Sequence, residues 1–159
     1  MELPLSKANQ CRSFTKRVKP DKRELKREEA RQIRIAKAKI RELDGNACTN
    51  PFHWDWRRYA TDKEGLAKWK YRDVLSVHRI NYGSHCGEYT EANGITLCAV
   101  CHDVVQKGFN HKKLGRLSAH MAMLMILRKL KEELLPEKFR WQENLELLET
   151  KFGLTTPNV

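Results

Sequence analysis

The phrase "NGITLCAVCH", residues 93–102, constrains this chain more than any other, because Cys98 and Cys101 form a Cys-x2-Cys pair within it. Two thiolates across a tight turn are half of a tetrahedral zinc site, where Zn–S distances are ~2.3 Å. A full site needs two more donors. "CTNPFH" supplies Cys48 and His53 at Cys-x4-His spacing, giving a Cys3His set of Cys48, His53, Cys98 and Cys101. Cys86 stands as a substitute for either upstream ligand. The competing reading is a pair of buried free thiols, since free cysteine packs as a small hydrophobe. A Zn2+ ion held by this set would be structural, tying the segment before one strand to the helix after the next where the local core is thin. The stretch "MELPLSKANQ" has no signal-peptide apolar core, so an intracellular (cytoplasmic), reducing setting is expected, where five cysteines, an odd number, argue against a disulfide framework. No apolar run approaches the ~20 residues of a spanning helix, so no membrane role is expected.

Around this centre the chain of 159 residues divides into three expected parts: a basic arm and helix over 1–44, a zinc domain over 45–112 and a helical extension over 113–159. Asp21 is placed to cap a helix, and Ile33, Ala36, Ile40 and Leu43 give it a narrow apolar stripe that Gly45 ends. Residues 1–43 hold 14 Lys/Arg against six Asp/Glu, most of the chain's net charge of +11. Charge runs are commonly just solvated faces. One so lopsided in sign points to a polyanion, with Lys16, Arg17, Lys22, Arg23, Arg27 and Arg34 on a nucleic-acid backbone. Arg57 and Arg58 follow in the aromatic cluster "FHWDWRRY", whose rings either stack on bases or, as the default, fill the core. After Gly108, Leu117, Met121, Leu124, Leu127, Leu130 and Leu134 form one helical stripe, and Trp141, Leu145, Leu148 and Phe152 form the next. These helices are read as scaffold, with a methionine-rich face through which two copies could pair.

"LSVHRINYG", residues 75–83, has the apolar spacing of a strand and carries His78 and Arg79 in its middle. Asn93 ends the following loop, and His102 comes directly after the second cysteine. A strand folding back on a helix brings His78 and His102 face to face. Two imidazoles so arranged hold one divalent cation, the layout for metal-assisted phosphodiester hydrolysis.

"LSVHRINYG…ANGITLCAVCH" resembles the HNH endonucleases, the ββα-metal nucleases, in the zinc-supported form found in phage and homing enzymes. The resemblance covers residues 46–108. It implies an α+β fold: a zinc-braced ββα-metal core flanked by the N-terminal basic helix and the C-terminal helices. It further implies Mg2+ or Mn2+ at His78 and His102, a loop-pinning role for Asn93, and DNA rather than RNA as partner, in a bacterial or phage-infected cell. The strand departs from the family phrase, Val-His-His-Ile or Ile-Asp-His-Ile. Aligned directly, His78 is the metal ligand and Arg79 stands where the general base belongs. Shifted by one, His78 is the base and Val77 replaces the ligand. Arginine stays protonated and cannot act as a base, though it can clamp a phosphate. Gln106 or His111 as an extra ligand, or His85 as base, would each restore a full set. The function implied is a metal-dependent DNA endonuclease; the alternative is a degenerate nuclease scaffold that binds nucleic acid within a nucleoprotein or phage assembly.

Overall fold

Asp21 caps the first helix as expected, its carboxylate accepting the Arg23 backbone N–H at 3.1 Å. The computed structural model describes residues 21–59, 73–81 and 87–152. Helix α1 spans Lys22–Leu43 and is exposed all round from Lys22 to Gln32. Its apolar stripe engages only near the end: Ile33 and Ala36 are half-buried and Ile40 is buried, while Leu43 stays exposed. Gly45 and Asn46, at φ of 69° and 54°, then turn the chain.

Helix α2, His53–Tyr59, grows out of "NPFHW". The Asn50 side chain accepts the Phe52 N–H at 2.9 Å, an Asx turn that starts the helix. Trp56 fills the core, stacked on Phe52 at 5.6 Å and tilted against Phe109 at 5.6 Å. Trp54, two residues earlier, lies outside the core at 78% exposure.

Strands β1 (Leu75–Arg79) and β2 (Gly94–Cys98) pair antiparallel, with His78 opposite Ile95 and Arg79 opposite Gly94. All of β2 is buried, which suits a short apolar run covered on both faces. Helix α3, Ala99–Lys107, starts directly from β2 and ends at Gly108, φ 72°. A second, shorter antiparallel pair follows, β3 (Phe109–His111) and β4 (Gly115–Leu117). It was absent from the sequence-based expectation of helix alone. Ser118 caps α4, Ala119–Glu133, and a 3-10 turn at Pro136–Lys138 leads to α5, Gln142–Lys151.

The fold is therefore α+β, with helices around two small antiparallel strand pairs. One core joins Ile95 and Leu97 of β2, Val104 of α3, Ile126 and Leu127 of α4, and Trp141 and Leu145. Most of the methionine-rich stretch serves this core: Met123 is buried and Met125 packs against it, while Met121 is exposed. The C-terminal segment also closes back on the sheet. Arg140 pairs with Asp44 at 2.7 Å, and Trp141 Nε1 donates to the Gly94 carbonyl at 2.9 Å. Among the described residues no helix is long and apolar enough to cross a membrane.

Candidate functional site

Two clusters lie on different faces of α3. Successive helix residues are about 100° apart around the axis. Cys101 therefore looks toward α2 while its neighbour His102 looks toward β1, as their partners show.

The first cluster is Cys48, His53, Cys98 and Cys101, whose ligand atoms all lie within 4.8 Å of one another. His53 Nδ1 is 3.4 Å from Cys98 Sγ and 3.6 Å from Cys101 Sγ. A tetrahedral zinc with bonds of ~2.3 Å to sulfur and ~2.0 Å to nitrogen requires S···N edges of about 3.5 Å. The four donors are thus close enough to hold one metal ion, and the donor set suits zinc. Polar groups flank the ligands. Asn50 Nδ2 donates to Cys101 Sγ at 3.2 Å, and Arg57 Nη1 stands 2.9 Å from His53 Nε2, a hydrogen bond that the ring accepts only with its proton on Nδ1 and gives up when Nδ1 takes a metal. Cys98 occupies the N-cap of α3, where the helix dipole favours a thiolate. Hydrogen bonds from Cys101, then Cys48, hold the Cys98 thiol far down, to about 2. The same contacts to Cys48 and Cys98, together with burial, push Cys101 up. Three sulfurs this close cannot all ionise unless a cation sits among them. Cys86 lies outside the described residues.

The second cluster is the imidazole pair. The His78 and His102 rings stand 5.1 Å apart, centroid to centroid, at 81°. Two imidazoles on one ion with M–N of ~2.1 Å have centroids roughly 4.6–5.3 Å apart, so the spacing fits a shared cation. His78 is 4% exposed, and burial, then the His102 and Arg79 charges, lower its pKa to about 3. His102 is also lowered, by burial first and then by Lys37, against the opposing effect of Asp103. Both rings are held neutral, the form a metal ligand needs.

Asn93 bridges both ends of the intervening loop. Its Oδ1 accepts the Asn81 N–H at 2.7 Å, and its Nδ2 donates to the carbonyls of Asn81 (3.0 Å) and Glu88 (2.8 Å). Arg79 does not share the face of His78. Strand alternation sends it to the other side of β1, where its guanidinium lies over the Tyr89 ring at 4.8 Å and donates to the Gly87 carbonyl at 3.2 Å.

Other expected site residues fall in several places. Lys22, Arg23, Arg27, Arg34 and Arg58 are exposed, whereas Lys16, Arg17 and His85 lie outside the described residues. Arg57, expected on nucleic acid, has a side chain only 8% exposed and is engaged with His53 and Asp73. It lies against the first cluster because α2 turns it inward. His111 binds Asp55 at 2.8 Å and accepts the backbone N–H groups of Lys113 and Leu114, so it serves the β3–β4 turn and not the imidazole pair.

Sequence reasoning missed Asn50, Tyr89 and Lys37. Lys37 left a readable signal, since it sits four residues after Ile33 and three before Ile40, on the buried stripe of α1 itself. Compared with protein-family models, with curated proteins and with solved structures, the chain gives no significant match to any of them.

Proposed function

We propose that this chain is an HNH-type, divalent-metal-dependent endonuclease that hydrolyses DNA phosphodiester bonds. The observation that carries the reading is the His78–His102 pair, two neutral imidazoles 5.1 Å apart on a strand and the helix that follows it. His78 and His102 would hold the cation. When bound, such a cation supplies Lewis acidity to a phosphodiester oxygen and lowers the pKa of water. The chain's own residues do the rest. Asn93 fixes the loop against β1 and so sets the position of the strand end. Arg79, on the other side of β1, is placed to hold an adjoining backbone phosphate and not the one at the imidazole pair. The exposed cations of α1 track the duplex backbone. The Cys48, His53, Cys98 and Cys101 set holds a structural zinc that locks α2 to α3.

A second reading follows from Arg79. It stands where the family keeps its base and is tied to Tyr89 and Gly87. That favours a non-catalytic nucleic-acid-binding scaffold, with the same binding surface and no cleavage. A supercoiled-plasmid nicking assay with Mg2+, Mn2+ or Ni2+ separates the two. The nuclease reading expects metal-dependent nicking by wild type and its loss in His78→Ala and His102→Ala. An intact plasmid with every metal, in the presence of binding, leaves the scaffold reading. Wild-type cleavage by His102→Ala would remove the site assignment.

A further inference from the structure

We propose that Lys37 and Arg79 form a two-cation clamp for a backbone phosphate, joined through Tyr89, which extends the binding surface from the β1–β2–α3 unit onto α1. The clamp rests on the reading that the partner is nucleic acid, but not on cleavage. Lys37 Nζ lies over the Tyr89 ring at 4.5 Å and the Arg79 guanidinium lies over it at 4.8 Å. One aromatic ring thus gathers two cations from elements 42 residues apart in sequence. Both residues are half-buried. Neither has a carboxylate partner within ion-pair distance among the described residues, whereas Arg31 and Lys39 on the same helix pair with Glu28 and Glu91.

Two like charges on one ring repel, and partial burial strengthens that repulsion. The ring quadrupole offsets only part of it. An anion lying between them completes the electrostatics, and a backbone phosphodiester is the anion that the proposed nucleic-acid partner supplies. On the Arg79 side a cleft of about 410 Å3 runs between α1 and the Gly87–Tyr89 segment, with Arg79 and Tyr89 in its wall and Lys37 outside it. That volume falls in the range of about 300–1,000 Å3 typical of ligand sites. Its two carboxylates, Glu29 and Glu88, are exposed, where water screens them. Lys37 is therefore a phosphate-binding residue from outside the segment that resembles a nuclease.

The test is the salt dependence of duplex binding, read by fluorescence anisotropy. Wild type is compared with Lys37→Gln, Lys37→Arg and Lys39→Gln. Loss of one phosphate contact makes the slope of log K against log [salt] shallower by about 0.9. That change is expected in Lys37→Gln, with restoration in Lys37→Arg and a smaller change in Lys39→Gln, whose ammonium is already paired. A wild-type slope in Lys37→Gln, or an equal change in Lys39→Gln, overturns the clamp. Lys37→Met, which keeps the aliphatic stem, carries the same comparison if the glutamine variant does not fold. The outcome is separable from the nuclease reading: a changed slope without nicking keeps the clamp and removes the enzyme, and nicking with an unchanged slope does the reverse.

Discussion

At the scale of single residues, the chemistry rests on groups held in charge states they would not keep in water. Cys98 is stabilised as a thiolate among two other sulfurs and an imidazole. Chelation should therefore lower Tm by roughly 10 °C or more, the equivalent of a few kcal/mol in a chain of this size. Cys101→Ser should lower the starting Tm and abolish the response to chelator; differential scanning fluorimetry checks both. His78 works in the opposite direction on the pH axis. Its folded pKa, about 3, lies below its ordinary 6.5. Between those values the unfolded chain takes up a proton that the folded chain refuses. Stability is thus fully present above pH ~6.5 and falls as pH drops toward ~3, by up to about 1.4 kcal/mol per unit. His78→Gln should flatten that part of the urea-denaturation profile relative to wild type. An unchanged acid limb would show that His78 protonates freely in the fold.

At the scale of elements, close approaches decide where strands and helices meet. Gly108 ends α3 at φ 72°, and a Cβ there would run into the Leu117 backbone carbonyl well inside van der Waals contact. Backbone cannot yield as a side-chain tip does. Gly108→Ala should cost about 3 kcal/mol or more in denaturant melts, combining the left-handed conformation with overpacking. Gly94 is the milder case, since a Cβ there meets chiefly the end of the Ile40 side chain. These joins explain what could be read beforehand. β1, β2 and α3 were readable because apolar spacing, a Cys-x2-Cys turn and a terminal glycine all bear on consecutive residues. The capped start of α1 was readable for the same local reason. The β3–β4 pair was not, because "FNHKKLGRL" has three-residue strands too short for any period to emerge. Helix α2 was hidden by Asn50 and Pro51, which read as a turn and in fact begin the helix. Within the candidate sites, the Cys48, His53, Cys98 and Cys101 set was visible from donor type and spacing. The sideways turn of Arg79 onto Tyr89 was not, since it depends on α1 packing across the loop.

At the scale of the whole molecule, the C-terminal segment closes a circuit that no local pattern announces. Arg140 reaches Asp44 across 96 residues, the Glu91 carbonyl at 2.7 Å, and the face of Trp141 at 4.0 Å. Asp44 is 1% exposed at its side chain and also accepts the Thr96 N–H at 2.8 Å. Removing one member leaves a buried charge without its partner, so Arg140→Ala should destabilise by about 3 kcal/mol. A double-mutant cycle with Asp44→Asn should show coupling of about 1 kcal/mol or more, and additive effects would show that the pair contributes little. This circuit holds the end of α1 against β2. On the proposed reading, the Cys48, His53, Cys98 and Cys101 cluster holds a structural ion and the His78–His102 pair a working one. Metal stoichiometry tests that division most directly. Protein purified with its zinc is titrated with Mn2+ and weighed by native mass spectrometry, for wild type and for the double variant His78→Ala/His102→Ala. The expected result is about one zinc per chain in both proteins and one further Mn2+ in wild type alone. Retention of the Mn2+ by the double variant, or a folded wild type without zinc, would contradict it.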